Sequence, residues 1–293
     1  MKLTKVKTKQ KKLKNDITSL AHDLGFDDIK FLTNSIASDK NIAVLLFKKY
    51  TPSLGKAEPG EIALCEYYIC SNPSYFAALD FANILNYDFH VPAQHTKDIK
   101  LKPLAIKSGG RVGLNSLYYH EDYGSFINMQ CVLITADLPK DNEINTHTEC
   151  ELCGACIKAC PTKAITFDGF TQKKCLRDMM SEGIPIRSRR KVYQLLGCDK
   201  CQTCCPMNDE TRKEPETFDI QSVLKGEQTR HLKELAGKNS ATRTRLITQT
   251  ICYAVSKRDK KALAQINQLT TDDQSEIIKD FAKWGKKELE KIK

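Results

Sequence analysis

An α+β fold in three consecutive parts is what this sequence predicts, on three observations. Helix-like and strand-like apolar segments alternate from residue 1 to about 145. Nine of the thirteen cysteines then crowd into residues 146–208. Beyond Asn208 the texture turns helical, polar and lysine-rich. The expected divisions are 1–145, 146–210 and 211–293, and 293 residues suffice for two or three domains.

The elements follow in order. Leu13, Ile17, Leu20, Ala21 and Leu24 recur at helical spacing, and Gly25 stops that helix. A strand is expected at Ile29–Leu32, and NIAVLLF (41–47) reads as a buried one. Pro52, Gly55 and Gly60 break the chain before another strand at 61–66. YFAALDFANILN (75–86) is an amphipathic helix, and a polar stretch begins at Pro92. PLAIKS (103–108) suits a helical turn, SGGRVGLNS bends sharply, and MQCVLITADL (129–138) resumes as a strand. In the tail, TRTRLITQTICYAVSKRD, KKALAQINQLT and DQSEIIKDFAKWGKKELEKI carry helical apolar stripes resembling a short HEAT-like stack, with Trp284 packed between helices.

Composition is ordinary for a globular chain, with 41% hydrophobic and 28% charged residues. No run approaches the roughly 18 apolar residues of a membrane span, and MKLTKVKTKQKKLK lacks a signal-peptide core. A cytoplasmic protein with no membrane partner is therefore expected, and there thirteen cysteines point to metal or redox chemistry before disulfides. Net charge is +10, with seven lysines in the first fourteen residues and six between Lys279 and Lys293. That balance fits RNA or another polyanion, and equally fits solvated helix termini.

Cys150, Cys153, Cys156 and Cys160 have the spacing C-x2-C-x2-C-x3-C-P, the bacterial ferredoxin run. A zinc site wants two well-separated C-x2-C pairs and has no use for a third cysteine so close. Two [4Fe-4S] clusters need eight thiolates, and Cys198, Cys201 and Cys205 (before Pro206) raise the total to seven. Cys175, between the motifs, is the nearest choice for the eighth; Cys204 competes, but it adjoins Cys205. The cysteine before the proline ligates the other cluster in two-cluster proteins. Cluster one is then Cys150, Cys153, Cys156 and Cys205, and cluster two is Cys160, Cys175, Cys198 and Cys201. Cys65, Cys70, Cys131 and Cys252 read as small buried hydrophobes.

The N-terminal half has neither a dinucleotide fingerprint nor a Walker loop, and no H-E-x-x-H occurs. Yet LAIKSGGRVGLNSLYYHEDYGS, followed by VLITADLP, resembles the core of the epoxyqueuosine reductases. Their pattern there is approximately L-A-x-x-A-G-x-G-x-x-G-K-N-x-L, then H-P-x-x-G-S and L-T-D-L-P. The likeness continues through FTQKKCLRDMMSEGIPIRSRRKVYQLLGCDKCQTCCP, including lone Cys175 and the Gly183-Ile184-Pro185 turn, and into the tail.

The resemblance implies a nitroreductase-like α/β core holding cobalamin, a ferredoxin-like double-cluster module beside it and a HEAT-like tail. The clusters would reduce the cobalt, and the substrate would be a modified nucleoside in tRNA, as in queuosine biosynthesis. An external electron donor (ferredoxin, flavodoxin or similar) would supply the clusters. On this reading Gly109, Gly113, Asn115, Ser116, Tyr119, His120, Gly124 and Ser125 line or shape the corrin site. The family's basic segment between the motifs looks similar to Arg187, Arg189 and Arg190. Where the family carries an Asp proton donor this chain holds His95, with Asp98 nearby; these two are the catalytic candidates. Leu114 replaces the family's glycine-loop lysine. The competing reading is an electron-transfer protein or corrinoid-reducing activator without tRNA activity; a basic RNA-binding scaffold leaves the clusters idle.

Overall fold

The computed structural model describes residues 2–33, 41–53, 57–144, 150–208, 211–271 and 274–292. Residues 145, 146 and 210, where the sequence divides the chain, lie outside that description. Along the chain come α1 (Lys2–Asp23), β1 (Asp28–Thr33), β2 (Ile42–Lys49), β3 (Glu61–Ala63), α2 (Glu66–Tyr87), β4 (Ala93–His95), α3 (Leu101–Lys107), β5 (Arg111–Val112), β6 (Tyr118–Tyr119) and β7 (Ile127–Ile134). The cysteine segment holds α4 (Ala155–Ala159), β8 (Ile165–Thr166), β9 (Gly169–Phe170), α5 (Leu176–Glu182), α6 (Ile186–Arg189) and α7 (Lys200–Thr203). The tail holds β10 (Thr217–Asp219), α8 (Ile220–Lys225), α9 (Thr229–Ala236), α10 (Arg243–Lys257), α11 (Leu263–Gln268) and α12 (Glu276–Glu290). None of the described helices is long and apolar enough to cross a membrane.

Packing divides the chain into two compact units that interleave in sequence. One comprises Met1–Tyr50, Cys70–Leu152 and Met207–Asp209; the other comprises Thr51–Ile69, Cys153–Pro206 and Glu210–Lys293. The first is built on an antiparallel sheet of order β1-β2-β7-β4. Its centre is β2, whose first six residues are all buried, because alternate side chains serve opposite faces. Ile42, Val44 and Leu46 pack with Ile17 and Ala21 of α1 and Ala78, Phe81 and Leu85 of α2. Ala43, Leu45 and Phe47 pack with Leu104 and Ala105 of α3 and with Tyr118. Gly25 ends α1 with φ +87, and the Phe26 N–H reaches back to the Ala21 carbonyl.

The second unit wraps one apolar core. Leu176, Met180, Leu195, Phe218, Leu224, Leu246, Ile251, Ile266 and Leu289 are among its buried members, and half-buried Trp284 packs against them. Helix α10 packs on α8 and α12, and α11 on α12. Thr242, Ser275 and Asp219 cap α10, α12 and α8 by accepting from the N–H three residues on. The 61–66 stretch, expected to be all strand, turns helical at Glu66 after three strand residues. Those three pair with β10 from the tail, a partner about 155 positions away that no local pattern announces.

Candidate cofactor and iron–sulfur site

The first cysteine motif is shaped by left-handed backbone. Leu152 (φ +53) and Gly154 (φ +73) turn the chain so that α4 begins at once. Cys153 is left exposed while Cys156, on α4, is buried. Cys160 closes α4, its N–H bonded to the Cys156 carbonyl, and its Sγ accepts the Ala164 N–H at 3.2 Å. Cys175 stands at the N-cap of α5. Cys198 precedes α7, Cys201 lies on it, Cys204 caps its end, and α7 packs against α4.

Electrostatics sorts the thiols into two neighbourhoods. Burial first, then the charges of Cys198, Cys175 and Cys160, raises the Cys201 thiol well above its ordinary value, with Cys204 the least of these neighbours. Burial, then Cys156 and Cys205, pushes Cys204 up to about 11, with Cys153 also contributing. Cys198 is raised to about 11, chiefly by burial. Thiols crowded this way repel one another as thiolates, and bound iron relieves that repulsion. Among the described residues no three Cys, His, Asp or Glu side chains converge on the shell of a single ion. A cubane asks for something wider, one thiolate at each of four separated irons, and an all-thiol set suits it.

The glycine-rich bend is a β5–β6 hairpin, Arg111 opposite Tyr119 and Val112 opposite Tyr118. Gly109 (φ +108) and Gly110 (φ +80) enter it in left-handed backbone, and Ser116 turns it at φ +62. Lys102 donates to both the Ser116 carbonyl (2.9 Å) and its hydroxyl (2.7 Å). Buried Asn115 donates to the Tyr119 hydroxyl at 2.7 Å, and a Cβ on Gly113 would stand 2.7 Å from the Asn115 amide oxygen. Of the residues expected at a corrin, these form the frame of the hairpin itself.

His120, Gly124 and Ser125 complete that frame. His120 and Gly124 exchange backbone hydrogen bonds. The His120 Nε2–H donates to Asp28 Oδ2 at 3.0 Å while Nδ1 accepts the Asp122 N–H, and the ring stacks on Tyr123. Ser125 donates its N–H to Asn208 Oδ1 at 2.7 Å, and Asn208 donates back to the Ser125 hydroxyl. Sequence reasoning missed Asn208; its one signal is a place three residues after Cys205.

Asp28 was also missed. Burial works to raise its carboxyl, but hydrogen bonds from His120 and Lys30 prevail and hold it at about 2, below the ordinary 3.8. A depressed folded pKa adds stability that is present above 3.8 and lost as pH falls through about 2. Asp28→Asn should abolish that acid-linked loss, of roughly 2 kcal/mol, between those limits. Urea midpoints at pH 5 and pH 2.5 check this, and an equal acid loss in wild type and variant would refute it.

His95 closes β4, and its Nε2–H faces the Gln130 Oε1 at 3.0 Å; Gln130 in turn donates to Asn128 Oδ1 at 2.8 Å. The Tyr75 ring meets the imidazole edge-on at 5.1 Å. A polar row Asn128–Gln130–His95 therefore breaks the apolar α2-side face at one end of the sheet. Asp98 is exposed in the bend beyond, its N–H bonded to the Thr96 hydroxyl. Of the cysteines expected to be plain core, Cys65, Cys131 and Cys252 are buried, whereas Cys70 is half-buried with its Sγ directed at the Lys48 carbonyl. Arg189 is buried, stacked on Phe281 at 3.7 Å and paired with Asp280; Arg190 pairs with Glu288.

Residues 149–208 match the family described as the 4Fe-4S double cluster binding domain. The epoxyqueuosine reductase of Lactococcus garvieae is 27% identical over 206 residues, covering 64% of this chain and 58% of that protein. That of Vibrio cholerae is 35% identical over 113 residues, 36% of this chain and 30% of that protein. The matched stretches thus span less than two thirds of these curated relatives. Among solved structures, the crystal structure of epoxyqueuosine reductase with a tRNA-Tyr epoxyqueuosine-modified tRNA stem loop superposes with a TM-score of 0.79 at 19% identity. That match covers 96% of this chain and 91% of the other, and it establishes a shared fold.

Proposed function

We propose that this chain is an iron–sulfur oxidoreductase of the epoxyqueuosine reductase kind. In this reading its two [4Fe-4S] clusters feed electrons to a bound cobalamin that reduces a modified nucleoside in tRNA. The observation that carries it is the gathering of Cys160, Cys175 and Cys198 around Cys201, from three separate segments. Cys150, Cys153, Cys156 and Cys205 would hold cluster one, and Cys160, Cys175, Cys198 and Cys201 cluster two. The first unit is then the nitroreductase-like core and helices α8 to α12 the HEAT-like tail.

Cobalamin, when bound, supplies a low-valent metal centre able to break a carbon–oxygen bond. The chain supplies the rest. On this reading the Gly109–Ser125 hairpin, whose glycines let it pack tightly on itself, would border the corrin. The Asn128–Gln130–His95 row supports a polar ligand edge there, since nothing in apolar packing calls for it. On this reading His95, held through Nε2 by Gln130, would take the place of the Asp that delivers the proton in the family. Exposed Asp98 is the weaker candidate.

A second reading, electron transfer to a corrinoid partner without action on tRNA, draws on His95 itself, which stands in the place of the family's acid. Anaerobic purification separates the two. About eight irons and as much sulfide per chain, with a base-off spectrum on adding cobalamin, are expected from the first. An unchanged spectrum with full iron would favour the second, and about four irons would overturn the ligand assignment.

A further inference from the structure

Among the described residues of the cysteine segment, large side chains stand out in water on one short hairpin. Phe167 is 68% exposed at the tip between β8 and β9, and Phe170 is 36% exposed. Two rings exposed together on one small hairpin offer apolar area that a partner can bury. The placement is specific. A Cβ on Gly154 would lie 3.4 Å from the Phe167 ring, so the ring covers the turn between Cys153 and Cys156. Cys153 beside it is the exposed member of its motif.

Charge surrounds this apolar tip. Residues 151–178 carry five cations, Lys158, Lys163, Lys173, Lys174 and Arg177, against three acids, Glu151, Asp168 and Asp178, and the four lysines are exposed. Lys158 sits one turn along α4 from Gly154, its N–H bonded to the Gly154 carbonyl. Lys163 stands at the foot of the hairpin, where the Thr171 N–H reaches the Ala164 carbonyl, and Lys173 and Lys174 follow directly. An exposed aromatic tip beside an exposed cysteine, with lysines on the flanking segments, suits a transient redox contact. The charges steer an acidic partner, the ring excludes water, and the exposed ligand shortens the electron's path.

We infer that the face formed by Phe167, Phe170 and these lysines is the docking surface for a small acidic electron-carrier protein, and that cluster one is where electrons enter. This rests on the cluster reading above. In each encounter the carrier loses one electron and the cluster gains it; no bond or proton is exchanged. RNA also stacks unpaired bases on exposed rings, but Phe167 lies against the cysteine turn itself, where an electron carrier must approach, and that favours a protein.

The test is stopped-flow reduction of the full iron-loaded protein by a reduced acidic flavodoxin, with dithionite as the small-molecule comparison. Phe167→Ala, and separately Lys173→Glu with Lys174→Glu, should each lower the second-order rate with flavodoxin about tenfold. The wild-type rate should fall steeply with added salt, and dithionite reduction should stay unchanged in Phe167→Ala, which alters no charge. An unchanged flavodoxin rate overturns the inference. So does a slower dithionite reaction in Phe167→Ala, which would make that ring a support of the cluster, or weakened binding of a tRNA stem loop at an unchanged flavodoxin rate. Iron content of the wild type is measured first, since an iron-free protein would refute the cluster reading itself.

Discussion

Cys175→Ala should halve the iron of the anaerobically purified protein, from about eight atoms per chain to about four. Cys175 belongs to neither short motif, so the loss would identify it as the eighth ligand and cluster two as the one removed. Cys204→Ala serves as the contrast and should keep about eight. Its thiol lies near Cys156, Cys205 and Cys153, but it directly precedes Cys205, and two consecutive residues do not readily present both side chains to one cubane. Retention of full iron in Cys175→Ala, or its loss in Cys204→Ala, would reverse the assignment. Thermal stability should fall with the iron, since metal binding is folding free energy, and α5, which begins at Leu176, contributes Leu176 and Met180 to the core.

Gly110→Ala should be among the most damaging changes in the first unit. Gly110 has φ +80, and a Cβ there would stand 2.3 Å from the Tyr119 carbonyl oxygen and 2.8 Å from the Tyr118 hydroxyl. The left-handed backbone alone costs an alanine about 1–2 kcal/mol. The obstructing atom is backbone of the paired strand, so the hairpin must also open, which brings the total to about 3 kcal/mol or more. The melting temperature should drop by about 6–12 °C. Gly60→Ala isolates the first term, for Gly60 has φ +91 and nothing within 4 Å of its added Cβ. Equal shifts in the two variants would show that crowding at the hairpin is relieved cheaply.

What could be read from the sequence was what local chemistry determines. Strand β2, with eight residues and a fully apolar run, declared itself, as did the tail helices with their Ser and Thr caps. Gly25 announced the end of α1 correctly. The first half of α2 was hidden because Pro73 and a run of aromatic and β-branched residues argue against helix. The helix nonetheless runs through the proline without interruption. Strands β4 and β3 are three residues each and owe their existence to distant partners in β7 and β10. At the site, the double-cluster domain was legible because iron–sulfur chemistry demands closely spaced cysteines. The supports were not: Asp28 under His120, Gln130 under His95 and Asn208 under Ser125 are joined only by folding.

The uneven burial of the thiols has a consequence for survival in air. Cys156 is buried and Cys160, Cys175, Cys198 and Cys201 are half-buried, whereas Cys153 stands open to solvent. Oxygen and peroxide attack sulfur where they can reach it, along the ladder from sulfenate to irreversible sulfonate. On the proposed ligand set, cluster one decays first on aeration and cluster two outlasts it, so that a half-loaded protein is a stage of damage rather than of assembly. On the docking proposal, the corner that would admit an electron is also the one through which the molecule would age.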